Sequence, residues 1–161
     1  WKGCDLRYDV LGSTNTNDGD ATATTATNPV ANTLMAALPS DLRAVMQPMT
    51  IYTDNTGGGS DNASYVTKTT DYLPLLAEYE IFGTRTYANS AEKNYQAQYA
   101  YYSAGNSKVK YCHSATGSTA WWWERSPLYN GSSYFCSVYA DGSADGNGAR
   151  YSFGVAPAFR V

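Results

Sequence analysis

The sequence predicts an α+β fold, with short helices early in the chain and an antiparallel sheet at its end. Three observations predict it. Apolar residues in the first half recur at helical spacing beside residues that stop helices. The closing residues Phe153, Val155, Pro157, Phe159 and Val161 alternate with Gly154, Ala156, Ala158 and Arg160, the period of a strand packed on one face. Asp141-Gly142 is a hairpin-turn pair set between β-prone residues.

Residues 1–11 place Leu6, Val10 and Leu11 on one helical face behind Asp5, and Gly12 stops them. Residues 13–32, STNTNDGDATATTATNPVAN, are polar, Thr-rich and aperiodic, which predicts a long surface loop. Ser40 is the expected N-cap of a helix through DLRAVMQ, with Leu42, Val45 and Met46 on one side and Pro48 as its end. MTIYTD (49–54) and SYVTKT (64–69) flank NTGGGSDNA as a long-tipped hairpin. YLPLLAEYEIFG predicts a short strand and a helical turn ending at Gly83, and NYQAQYAYYSAGN a helix with Tyr95, Tyr99 and Tyr102 aligned, ending at Gly105. In the strand before Asp141, Cys136 and Val138 face one side, Ser137 and Tyr139 the other.

A length of 161 residues predicts one domain, 1–161, around a single core. The net charge of −3 and the scattered Lys and Arg exclude a nucleic-acid surface. No apolar run is long enough to insert into a membrane, and no signal segment opens the chain, whose first residue, Trp, leads one to expect a fragment or processed product. Fifteen Tyr against four Phe suit an exposed surface that must be both apolar and hydrogen-bonding.

Chemistry-bearing residues are few. Cys4, Cys112 and Cys136 lack a CxxC pair and read as small buried thiols, so neither a metal nor a cofactor is expected. DGSADGN has the offsets of half a calcium loop, but Ser152 stands where a bidentate Glu belongs. His113, alone in a polar context, reads as a surface histidine. Glu78 and Glu80, two apart, read as local caps or as partners of Arg85.

From Pro127 to Val161 there is no Lys, Glu, Gln, Trp or Met, although the preceding 126 residues hold nineteen of them. At that rate about five would be expected. A turn-rich β tail favours Gly, Ser, Asn, Asp and Tyr, which accounts for part of the absence.

WKGCDLR, LPSDLRAVM, YLPLLAEYEIFG, WWWERSP and FGVAPAFRV, read in this order, resemble the DUF6273-type domain of phage and gut-bacterial proteins. The resemblance implies a C-type-lectin-like fold with a variable region at about residues 127–161. It also implies that the chain is a target of a diversity-generating retroelement. Adenines of a template copy are then randomised, chiefly at AAY codons, and the resulting NNY codons cannot encode the five missing types. Glu124 stands where the family carries an apolar residue and Arg160 where it carries Cys or an apolar one.

The implied function is binding by a displayed, diversified surface on a phage tail tip or adhesin, in the virion or at the bacterial surface. The partner would be a protein or glycan receptor, and a homotrimer stays open. The displayed positions would be Tyr129, Asn130, Ser132, Ser133, Tyr134, Ser137, Tyr139, Ala140, Asp141, Ser143, Asp145, Asn147, Arg150 and Tyr151, with Phe153 excluded by its strand parity. Tyr and Arg150 would carry most of the contact energy. Trp121, Trp122, Trp123, Arg125, Gly154, Pro157 and Phe159 would form the scaffold, with Trp122 the outward indole if one is exposed. The alternatives are a fixed-specificity carbohydrate-binding or structural surface domain, and a formylglycine-generating-enzyme-like oxidase using Cys112 and Cys136.

Overall fold

Glycines at positive φ set many of the element boundaries: Gly12, Gly83, Gly105 and Gly142 each close a helical turn or hairpin in a conformation that side chains resist. The computed structural model covers residues 1–161 and describes every side chain except those of 115 and 116. Its architecture is mixed α/β, with short helices and antiparallel sheets. Contacts divide the chain into two compact units. Among the described residues no helix is long and apolar enough to cross a membrane.

The first unit holds Trp1–Ile51, Lys68–Pro74 and Pro157–Val161. The helix expected over residues 1–11 is only a π-turn, Leu6–Val10, because Gly12 follows at φ 65° and a β-carbon there would collide with Thr33. Residues 13–32 are largely a surface segment, as expected, but not wholly one. They contain α1 (Ala23–Thr27), whose Thr25 Oγ1 accepts the Thr22 amide, and Ser13, Thr14, Thr25 and Ala26 are buried. α2 (Leu34–Ala37) is capped by the Thr33 hydroxyl, and α3 (Ser40–Val45) starts at Ser40 with Pro39 at the cap position, not Ser40. Ala26, Met35, Met46, Tyr72 and Leu73 form the core. Beside it Arg7 and Asp71 make a fully buried ion pair at 2.6 Å. Asp71 also accepts from Ser13 Oγ, Thr69 Oγ1 and Trp1 Nε1, so the buried carboxylate is well satisfied.

The same unit takes the chain's end. The alternating residues 153–161 form a strand only at Gly154–Val155. Arg160 instead bridges to Gln47 through the backbone, and Ala158 donates to the Pro74 carbonyl. Phe159, expected to pack, is 48% exposed.

The second unit holds Tyr52–Thr67 and Leu75–Ala156. The hairpin β1 (Met49–Asp54) and β2 (Val66–Asp71) pairs as expected, β2 lying two residues further on, and the unit boundaries cut both strands. No strand forms at residues 72–76; Leu73 and Leu75 are simply buried. α4 (Glu78–Phe82) ends at Gly83. The helix expected over residues 94–106 shrinks to α5 (Ala100–Ser103), preceded by a 3-10 turn, Ser90–Asn94. β3 (Lys110–Cys112) and β4 (Ala115–Ala120) form a small hairpin.

The last four strands form one sheet in the order β7-β6-β5-β8. β5 (Trp122–Pro127), β6 (Tyr134–Val138) and β7 (Ala144–Gly148) are antiparallel, whereas β8 (Gly154–Val155) lies parallel to β5. One face is sealed by Ile81, Tyr102, Trp122 and Val138. Trp122, expected outward if any indole was, is buried with Trp123, and Trp121 is the more open one.

Candidate functional site

β5 anchors the sheet through polar groups. Arg125 is buried and forks onto Glu80, Nη1 to Oε2 at 2.6 Å and Nη2 to Oε1 at 2.7 Å, while its Nε donates to Thr53 and Nη1 also donates to the Leu75 carbonyl. Burial alone would lower its pKa, but the Glu80 carboxylate holds it above the ordinary value. Glu80 also accepts the Ala77 amide, and Glu78 accepts the amides of Tyr87 and Ala88. Both glutamates thus cap backbone from the first turn of α4. Arg85 pairs with Asp61 instead, at 3.0 Å. Glu92 takes the Asp54 amide and the Ser126 hydroxyl; burial still pushes its carboxyl up.

Glu124 is the exception within this frame. It is buried, and neither carboxyl oxygen has a hydrogen-bond partner among the described residues. Burial first, then the nearby Glu78 and Glu92, raise its pKa well above the usual carboxylate range and favour its neutral form. The apolar residue that the resemblance implies at this position would carry no such cost.

The opposite face of the sheet carries Trp123, Phe135, Ser137, Tyr139, Asp145 and Asn147, paired by register as Trp123 with Ser137, Phe135 with Asn147 and Ser137 with Asp145. Aromatic rings pave its outer part. Trp121 lies 4.3 Å from Tyr139 and 4.9 Å from Phe153 between centroids, Phe153 lies 4.5 Å from Trp123, and Tyr151 stacks on Phe153 at 5.8 Å. Arg150 lies over Tyr151 and donates to its hydroxyl at 3.1 Å, a bond that raises the pKa of the guanidinium. Tyr134 has the opposite strand parity, that of Cys136 and Val138, and lies at the sheet's end. Its ring and Arg150 flank Gly148, where a β-carbon would meet Arg150 Nη1 at 3.8 Å and Tyr134 Cε1 at 4.0 Å.

Tyr134 (41% exposed), Tyr139 (38%) and Tyr151 (46%) are thus open to solvent; Trp121 and Phe153 link Tyr139 and Tyr151 into one strip, and Arg150, over Tyr151, reaches toward Tyr134 at the sheet's end. Phe153, set aside on strand parity, is half-buried and central to it. Ser137 does not belong to the open surface: it is 0% exposed, lies opposite Trp123, and accepts from the Asn147 amide at 3.3 Å. Asp145 and Asn147 are half-buried and bonded to each other at 2.9 Å. Ala140, Asp141 and Ser143 form the β6–β7 turn, where Asp141 accepts both the amide and the hydroxyl of Ser143, contacts that lower its pKa. Tyr129, Asn130, Ser132 and Ser133 lie in the β5–β6 connection, Tyr129 under the Arg85 guanidinium at 4.2 Å. β6 lies between this connection and the turn, so the two sets stand at opposite ends of a strand about 17 Å long. Gly154 pairs with Trp122 in the sheet, whereas Pro157 and Phe159 belong to the first unit.

Two features had no place in the sequence reading. Arg85 supports Tyr129 from outside residues 127–161. A groove of about 670 Å³ also opens beside Trp121 and Phe153, lined on its far side by Lys110, Tyr111, Cys112 and His113. The alternation in KYCH, with Tyr111 strongly exposed, is the signal that could have found it. Cys112 lines this groove, while Cys136 is wholly buried, its thiol pKa pushed well up by burial, and so poorly suited to nucleophilic or metal chemistry. Among the described residues no group of three or more His, Cys, Asp or Glu could hold a metal ion.

No curated protein and no solved structure matches the chain. One family model does, over residues 14–161, and carries the description domain of unknown function (DUF6273). With nearly its whole length matched, the chain belongs to the DUF6273 family.

Proposed function

We propose that this chain is a ligand-binding protein that displays a diversified C-terminal surface on a C-type-lectin-like frame, at a phage tail tip or as a bacterial surface adhesin. One observation carries the reading. Among the described residues, the side-chain hydrogen bonds of residues 137–151 all end on partners within that same segment. Such residues can be exchanged without stranding a buried partner elsewhere. The exposed residues Tyr134, Tyr139, Arg150 and Tyr151 have the composition of a paratope: rigid amphipathic rings and one guanidinium. The absence of Lys, Glu, Gln, Trp and Met from residues 127–161 fits randomisation to NNY codons. The receptor would be a protein or a glycan on a neighbouring cell, and repeated copies, as in a trimer, would add avidity.

Sequencing the surrounding locus tests this. A reverse transcriptase beside a template repeat that differs from the gene at adenines is the expected finding. A locus without either would reduce the chain to a binding module of fixed specificity.

The groove favours a second reading, a fixed carbohydrate-binding module. Its wall at residues 110–113 lies outside the variable segment and would stay constant while the strip changed.

A further inference from the structure

The groove has a charge pattern of its own. No Asp or Glu lines it, and its cationic side chain, Lys110, has no carboxylate partner among the described residues. The Lys110 ammonium lies over the Trp122 indole, 5.7 Å from the ring centroid. An ammonium held at an aromatic wall, in a chain of net charge −3, is a local site for an anion. The volume of about 670 Å³ lies in the usual range of small-molecule sites.

The remaining lining narrows the chemistry. Trp121, Phe153 and Tyr111 offer ring surfaces to a C–H-rich face, through dispersion. Ser152, His113 and the Tyr111 phenol offer hydrogen-bonding groups for hydroxyls. An apolar ring face, several hydroxyls and one carboxylate together describe an acidic sugar. We propose that the groove binds a saccharide ring bearing a carboxylate, of the uronic or sialic acid kind, with Lys110 pairing with the carboxylate and Trp121 and Phe153 against the ring. The proposal rests on the carbohydrate-binding reading and adds the ligand's charge.

Tryptophan fluorescence titration of the full chain with glucuronate, N-acetylneuraminate, glucose and benzoate tests it, alongside Lys110→Gln, Lys110→Arg and Lys108→Gln. Lys108 is a matched control, since its ammonium lies over Phe82 and Tyr102, and it is not among the groove's lining residues. Expected is saturable binding of at least one acidic sugar, weakened about tenfold or more by Lys110→Gln and by high salt, largely kept by Lys110→Arg, and unchanged by Lys108→Gln. Melting curves of the variants confirm that each remains folded. Glucose binding as tight as glucuronate overturns the charge preference but leaves a carbohydrate module standing. Benzoate binding as tight as the acidic sugars, or equal losses in both glutamine variants, overturns the assignment of the groove to an acidic sugar. No saturable binding of any sugar removes the proposal and the carbohydrate reading together.

Discussion

Residues 75–127 and residues 129–153 hold their polar side chains in opposite ways. In the first region Glu78 and Glu92 reach amides and a hydroxyl 10 to 38 residues away, and Arg125 ties Glu80 of α4 to β5 across a separation of 45 residues. In the second, Asp141 serves Ser143, Asp145 serves Asn147, and Arg150 serves Tyr151. The difference teaches where the stiffness of the sheet resides. It comes from buried charge in the region before the tail, while the side-chain hydrogen bonds of residues 137–151 stay within the tail.

The largest break in that contrast is Arg125→Met. It leaves Glu80 buried without its bidentate partner and is expected to cost about 3–5 kcal/mol, read as a fall in the urea midpoint. Ser137→Tyr probes the buried member of the tail. Overpacking beneath Trp123 should cost about 1–3 kcal/mol, although this position has the parity of the displayed Tyr139.

Glu124→Met sharpens the comparison from the other side, because it removes a buried carboxyl without a partner among the described residues. A gain of about 1–2 kcal/mol at neutral pH is expected. The pH dependence has a fixed sign. Burial raises the folded-state pKa of Glu124 above its unfolded value of about 4.3, so the folded chain holds the extra proton. That contribution is complete below the unfolded value and is lost as pH rises toward the raised one. Glu92 acts in the same direction, so Glu124→Met should flatten the decline in stability above pH ~4.3 without abolishing it. Unfolding followed from acid to neutral pH checks this. The smallest effect belongs to Arg150→Ser, whose side chain is fully exposed and bonded only to its neighbour; its midpoint should stay within experimental scatter of the parent.

Local chemistry was legible in the sequence. Gly83, Gly105 and Gly142 were read as stops and turns because a positive φ is a property of a few adjacent atoms. The β1–β2 hairpin showed in its own composition. What depends on distant partners was hidden. Thr25 and Ala26 are buried by tertiary packing that a Thr-rich run does not announce. Strand alternation assigned Ser137 to the correct face but could not tell that Trp123 and Asn147 cover that face there. The same alternation misplaced Phe159, because residues 157–161 leave the sheet for the first unit. Arg125 stands among the expected scaffold residues, yet the sequence reads its partner Glu80 as a local cap or as a partner of Arg85, since nothing in the chain marks a pairing of that span.

The central claim is that the frame holds its shape while the strip changes. Urea unfolding of a set of variants carrying random NNY-encoded residues at Tyr134, Tyr139, Arg150 and Tyr151 measures it most directly. The account predicts cooperative transitions with a common slope and stabilities clustered within about 2 kcal/mol of the parent, the spread reflecting lost ring contacts. Variants that lose cooperativity, or that scatter as widely as substitutions at Arg125 and Ser137, would contradict it.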